Sequence, residues 1–141
     1  MHPNSLLCLL ALGILLSCNT LPKAQSQPAT PAAPAAFINW DKKMVELGPV
    51  KKGEKRTMFF EFTNPGTENV QIDVVAACDC TTVDYPRGVI APGQKARLDV
   101  IFDSKEKEES ETIDIDVIFK NTDAAGNPRI ERVSYKYELV K

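Results

Sequence analysis

The stretch Lys95-Ala96-Arg97-Leu98-Asp99-Val100-Ile101-Phe102-Asp103 sets Ala96, Leu98, Val100 and Phe102 against Lys95, Arg97, Asp99 and Asp103, with Ile101 alone out of step. Successive side chains of a strand point to opposite faces, so this period of two describes a ribbon with one apolar and one charged face. Three more segments carry the same signature. Met58, Phe60 and Phe62 alternate with Thr57, Glu61 and Thr63, broken by Phe59. Ile113, Ile115, Val117 and Phe119 alternate with Asp114, Asp116 and Lys120, and Val133, Tyr135, Tyr137 and Leu139 with Ser134, Lys136 and Glu138. No apolar stripe of helical period competes with them.

Between these runs stand residues that turn a chain: Lys52-Gly53-Glu54, Asn64-Pro65-Gly66, Ala91-Pro92-Gly93 and Ala125-Gly126-Asn127-Pro128. Short half-buried strands at this spacing predict an all-β fold. One sheet with a polar face needs a second sheet on its apolar face, giving an immunoglobulin-like antiparallel β-sandwich of about seven strands over residues 37–141. Trp40, at the start of that region, reads as a core plug or edge cover. Lys105 to Glu111, rich in Lys and Glu, reads as a solvated hairpin loop.

The chain has 141 residues and a net charge of −2, a balance that offers nothing to nucleic acid. Its first residues differ from the rest. The apolar run Leu6 to Leu16 is shorter than a comfortable bilayer span and reads as the core of a signal peptide covering residues 1–17. Leu15-Leu16-Ser17-Cys18 resembles the lipobox of bacterial lipoproteins, which implies that Cys18 is acylated and becomes the mature N-terminus. The rival reading is a cleaved secretory signal without lipid. Residues 18–36, with Pro22, Pro28, Pro31 and Pro34 among Ala, Gln, Ser and Thr, lack the apolar bulk to fold and read as a tether. In partly polyproline form that tether reaches about 50 Å. The expectation is a protein of the bacterial cell envelope, lipid-anchored and periplasm-facing, with the membrane as one partner and a protein of unknown identity as another.

Ala76-Ala77-Cys78-Asp79-Cys80-Thr81-Thr82 holds the chemistry that remains. Unbroken alternation along Val70, Ile72, Val74, Ala76, Cys78 and Cys80 assigns both thiols to the apolar face, as small core residues, with Asp79 in solvent. The lone histidine, His2, lies in the leader, so two thiols with Asp79 or Asp84 fall short of a structural zinc set. Two thiolates suffice for Cu(I), with Met44 and Met58 as remote candidates. A disulfide between strand positions i and i+2 would bridge Cα atoms about 6.6 Å apart, near the upper limit of its geometry, and a bond so strained would be readily reduced. The function expected first is a binding or scaffolding module; the alternative is thiol-redox or Cu(I) handling at Cys78 and Cys80. Ser104 and Ser110 have no histidine to activate them, and no phosphate loop is present, so neither an enzyme nor a resident cofactor is expected.

Val45 to Ser104 resembles the bacterial domain-of-unknown-function family 1573, whose members share a Phe-x-Asn-x-Gly turn, a Cys-Gly-Cys-Thr motif and an Ala-Pro-Gly turn. Here these are Phe62-Thr63-Asn64-Pro65-Gly66, Cys78-Asp79-Cys80-Thr81 (with Asp79 in place of glycine) and Ala91-Pro92-Gly93. The resemblance implies an immunoglobulin-like fold akin to binding modules of cilium and centrosome proteins, and an envelope lipoprotein address; it assigns no activity.

Overall fold

A computed structural model describes residues 36–140; the leader 1–17, Cys18 and all but the last residue of the tether lie outside the described residues. The alternating segments become long strands: β3 (Lys55–Thr63), β6 (Lys95–Asp103), β7 (Glu111–Thr122) and β8 (Pro128–Val140). Four shorter ones complete the fold, β1 (Asn39–Trp40), β2 (Met44–Lys51), β4 (Ile72–Ala76) and β5 (Thr81–Asp84). They form two four-stranded sheets, β1-β3-β6-β5 and β2-β8-β7-β4. Pairing is antiparallel except where β2 lies parallel to β8. This is an immunoglobulin-like β-sandwich, with eight strands because the two residues of β1 pair separately with β3.

The faces follow the alternation. Phe60, Phe62, Leu98, Val100 and Phe102 from sheet one are buried against Ile115, Val117, Phe119, Val133, Tyr135 and Tyr137 from sheet two. Phe102 bridges the layers, its ring 5.3 Å from that of Tyr135 and 4.5 Å from that of Tyr137. At the other end Phe62 stands edge-on to Phe119 at 6.2 Å. Trp40 is the core plug, 4.8 Å from Phe62. The two breaks in the pattern, Phe59 and Ile101, are on the outer face of sheet one. Phe59 there carries the Arg97 guanidinium 4.1 Å and the Lys42 ammonium 5.1 Å from its ring centre.

Asn64 ties the two motif turns together. Its backbone carbonyl accepts from Gly93 N at 2.8 Å, and its backbone N–H donates to Gln94 O at 3.0 Å. Gly93 follows Pro92 with φ +76°, the left-handed value that a glycine adopts without a Cβ penalty at the third position of such a turn. In β2, Gly48 (φ +66°) accommodates an extra residue between Glu46 and Pro49 in the pairing with β8.

The Lys105 to Glu111 segment corrects its expected form. It is a crossover from β6 in sheet one to β7 in sheet two, so it joins layers where a hairpin would join neighbours. Contacts with the body hold it: Lys52 pairs with Glu108, Lys107 with Glu111 at 2.6 Å, and the Tyr137 hydroxyl donates to the Glu109 carbonyl at 2.9 Å.

Candidate functional site

The Cys78-Asp79-Cys80 segment is also a crossover. β4 ends at Ala76 in sheet two and β5 begins at Thr81 in sheet one, so residues 77–80 carry the chain over the edge of the sandwich. Thr81 N–H donates to the Cys78 carbonyl at 2.9 Å, closing a turn, and Asp103 N–H donates to the Cys80 carbonyl at 2.9 Å, fastening the turn to β6. Within it Cys78 and Cys80 are joined as a disulfide, their Cα atoms 5.2 Å apart.

The expectation of two thiols on an unbroken strand face is therefore overturned, for two reasons. Ile72 pairs with Phe119 and Val74 with Ile118, which leaves Asp73 as an extra, bulged residue. Beyond the bulge the parity reverses: Val74 and Ala76 are exposed and Val75 packs against the core. The strand then stops before Cys78, and the turn draws the two Cα atoms closer than a strand would hold them. Both sulfurs end half-buried against the core, and Asp79 is in solvent as expected.

A hydroxyl network lies under the sulfurs. Thr81 Oγ1 is 3.3 Å from Cys78 Sγ and 3.5 Å from Cys80 Sγ. Tyr135 Oη is 2.6 Å from Thr81 Oγ1 and 4.0 Å from Cys80 Sγ. Disulfide sulfurs carry no proton and can only accept, so the consistent arrangement has Tyr135 donating to Thr81 and Thr81 donating to sulfur. Burial pushes the Tyr135 hydroxyl up to about 12, which keeps it a donor at any physiological pH. Tyr137 is also raised, by burial and then by the Glu111 carboxylate that its hydroxyl meets at 3.2 Å. Alternation along β8 marked Tyr135 only as core. The signal for more was its identity, since a buried tyrosine hydroxyl needs a polar partner.

Among the described residues no group of three or more His, Cys, Asp or Glu is placed to hold a metal ion. Met44 is exposed on β2, Met58 is buried on β3, and Asp84 is exposed on β5. A disulfide offers no thiolate, so Cu(I) ligation at Cys78 and Cys80 would require reduction first. Both serines have structural partners. Ser104 Oγ lies 2.8 Å from the Lys51 carbonyl and 2.9 Å from that of Glu54, and Ser110 Oγ accepts from Leu139 N at 2.9 Å.

The family described as protein of unknown function (DUF1573) matches residues 38–131, a span that takes in the Asn64 turn, the disulfide crossover and the Pro92-Gly93 turn. This chain belongs to the DUF1573 family. No curated protein matches it. Solved structures similar to this DUF1573 chain share its fold. The PapD-like domain 7 of human CEP192 is 12% identical with a TM-score of 0.60, over 89% of this chain and 96% of that one. A protein of unknown function from Porphyromonas gingivalis W83 is 24% identical with a TM-score of 0.59, over 81% of this chain and 51% of that one. The VesB protease of Vibrio cholerae is 18% identical with a TM-score of 0.55, over 74% of this chain. The match takes in 32% of the VesB chain, so this DUF1573 chain corresponds to about a third of that protein.

Proposed function

We propose that this DUF1573 chain is a binding or scaffolding module, held to a bacterial membrane by acylation of Cys18 and facing the periplasm, whose ligand is another protein of the envelope. The observation that carries this reading is a row of apolar side chains on the outer face of sheet two. Val74, Ile118 and Ile130 stand directly opposite one another across β4, β7 and β8. Val74 is 45% and Ile130 61% exposed. Three aligned apolar groups ending at an edge strand form a surface on which a partner can lay an apolar side while its backbone pairs with β4. The tether composition and the Ser17-Cys18 junction support the address.

Crosslinking in intact cells, followed by identification of what co-purifies with the full-length protein, tests the reading. The wild type should capture a defined envelope protein, and the Val74→Asp/Ile130→Glu variant should lose it while keeping its β-type circular dichroism. Cys18→Ala should move the protein from the detergent phase to the aqueous phase, since acyl chains are what make such anchoring stable. Capture unaffected by the double substitution, or detergent partitioning that survives Cys18→Ala, would refute the corresponding half of the proposal.

A further inference from the structure

We propose that the Cys78–Cys80 disulfide is a thiol–disulfide exchange site, in which Thr81 serves as hydrogen-bond donor to the departing sulfur and the substrate is a cysteine thiol. This goes beyond a binding role and does not depend on it.

Three features of the crossover point this way. First, the bond restrains little. It closes a loop with one residue between the cysteines, so it limits the unfolded chain far less than a bridge between distant segments would. The turn is already held by the backbone bonds from Thr81 N to Cys78 O and from Asp103 N to Cys80 O, neither of which involves sulfur. Opening the bond therefore leaves the crossover in place. Second, the sulfurs are half-buried beside the exposed Asp79, at the rim of the sandwich and not in its centre. Third, the donors are already built. Thr81 Oγ1 is within 3.5 Å of both sulfurs, and Tyr135 Oη, 2.6 Å behind it, fixes which way its proton points. A thiolate is a far better acceptor than a disulfide sulfur, so this hydrogen bond strengthens as charge develops on the leaving group.

The exchange balances as follows. An incoming thiolate forms a bond to one of the two sulfurs as the Cys78–Cys80 bond breaks, and the electron pair of that bond stays on the other sulfur, which leaves as a thiolate facing Thr81. A second substrate thiolate attacks the substrate sulfur of the mixed disulfide and releases the remaining cysteine. Two substrate thiols become one disulfide, two electrons pass to Cys78 and Cys80, and the two protons of the substrate thiols end on the protein thiols. The reverse sequence regenerates the bond at the expense of a substrate disulfide.

The test uses the full-length chain carrying Cys8→Ala and Cys18→Ala, so that no other thiol competes. Its oxidised form is mixed at neutral pH either with reduced glutathione or with a reduced, unfolded cysteine-containing protein. Samples are quenched in acid, alkylated, and read by mass at the peptide containing Cys78 and Cys80, with circular dichroism reporting the fold. The expected result is alkylation of both cysteines without loss of the β spectrum, slowed about tenfold or more by Thr81→Val and restored by Thr81→Ser. Exchange with either reductant supports the site, and the reductant that works tells whether the thiol comes from a small molecule or a protein. Exchange with neither until denaturant is added would overturn the proposal. So would a native rate that Thr81→Val leaves unchanged, because the bond would then be an ordinary accessible disulfide with no built site around it.

Discussion

Asn64 is fully buried, yet every polar atom of its side chain is used. Nδ2 donates to the Glu68 carbonyl at 2.8 Å and to the Ile90 carbonyl at 3.0 Å, and Oδ1 accepts from Gly66 N at 3.0 Å. Asn64→Ala removes all three of these hydrogen bonds, at about 1 kcal/mol each, together with the buried side chain that joins the two turns, and should cost about 2–4 kcal/mol in denaturant unfolding. Gly66 has no left-handed φ; its size matters instead, because a Cβ there would lie 3.3 Å from Asn64 Oδ1. Gly66→Ala should therefore destabilise by about 1 kcal/mol, less than Asn64→Ala. Equal costs for the two substitutions would disprove this account of the Phe-x-Asn-x-Gly turn. The turn was legible in the sequence as punctuation, but its long-range duty was not, since Ile90 and Gly93 are brought to Asn64 only by folding. The cysteines behave likewise. Their spacing and the adjoining Thr81 were plain, whereas Tyr135 became their neighbour only when β8 packed against β5.

At the scale of the strand, one bulged residue decides which way β4 faces. Simple alternation from Val70 and Ile72 would bury Val74 and expose Val75, but the extra residue at Asp73 reverses both. Val75→Asp should then cost about 1–3 kcal/mol, because it brings a carboxylate to a position packed against the core, while Val74→Asp should stay within about 0.5 kcal/mol. Urea unfolding of the two variants decides the matter, and the opposite order would restore the unbroken strand. The long strands β3, β6, β7 and β8 were legible despite the breaks at Phe59 and Ile101, because each carries nine or more residues and a single exception leaves the period readable on both sides of it. β4 has five residues, and a bulge in so short a strand leaves no pattern on either side from which to detect it. The crossovers at 77–80 and 104–110 escaped for a related reason. Turn chemistry marks where a strand ends but does not say whether the next strand joins the same sheet.

Across the whole domain, the titrating groups fall into two sets that bound the pH range of stability from opposite sides. Asp116 is held below its ordinary value of 3.8 by the Arg132 guanidinium, which it meets at 2.7 Å, and Glu111 below 4.5 by the Lys107 ammonium. Asp103 is lowered by the Lys105 backbone N–H and Asp123 by that of Asn127. A carboxyl whose folded value is depressed contributes stability that is present above its unfolded value and is lost as pH falls through the folded one. The acid side should therefore decline below about pH 4. The tyrosines act in the other direction. Tyr135 is raised from 10.0 to about 12 and Tyr137 is raised further, chiefly by burial. Their contribution is complete below about pH 10 and is lost as pH climbs from there through the folded values. Thermal unfolding should thus give a midpoint that is level from about pH 5 to 9 and falls on both sides. The two limbs have separable causes. Asp116→Asn should lower the plateau slightly and shallow the acid limb, because the neutral amide neither titrates nor pairs fully with Arg132. Tyr135→Phe loses the Thr81 hydrogen bond and should begin from a lower plateau, yet its midpoint should fall less between pH 9 and pH 11 than that of the wild type. An alkaline decline as steep in Tyr135→Phe/Tyr137→Phe as in the wild type would mean that the two buried hydroxyls do not set that limb.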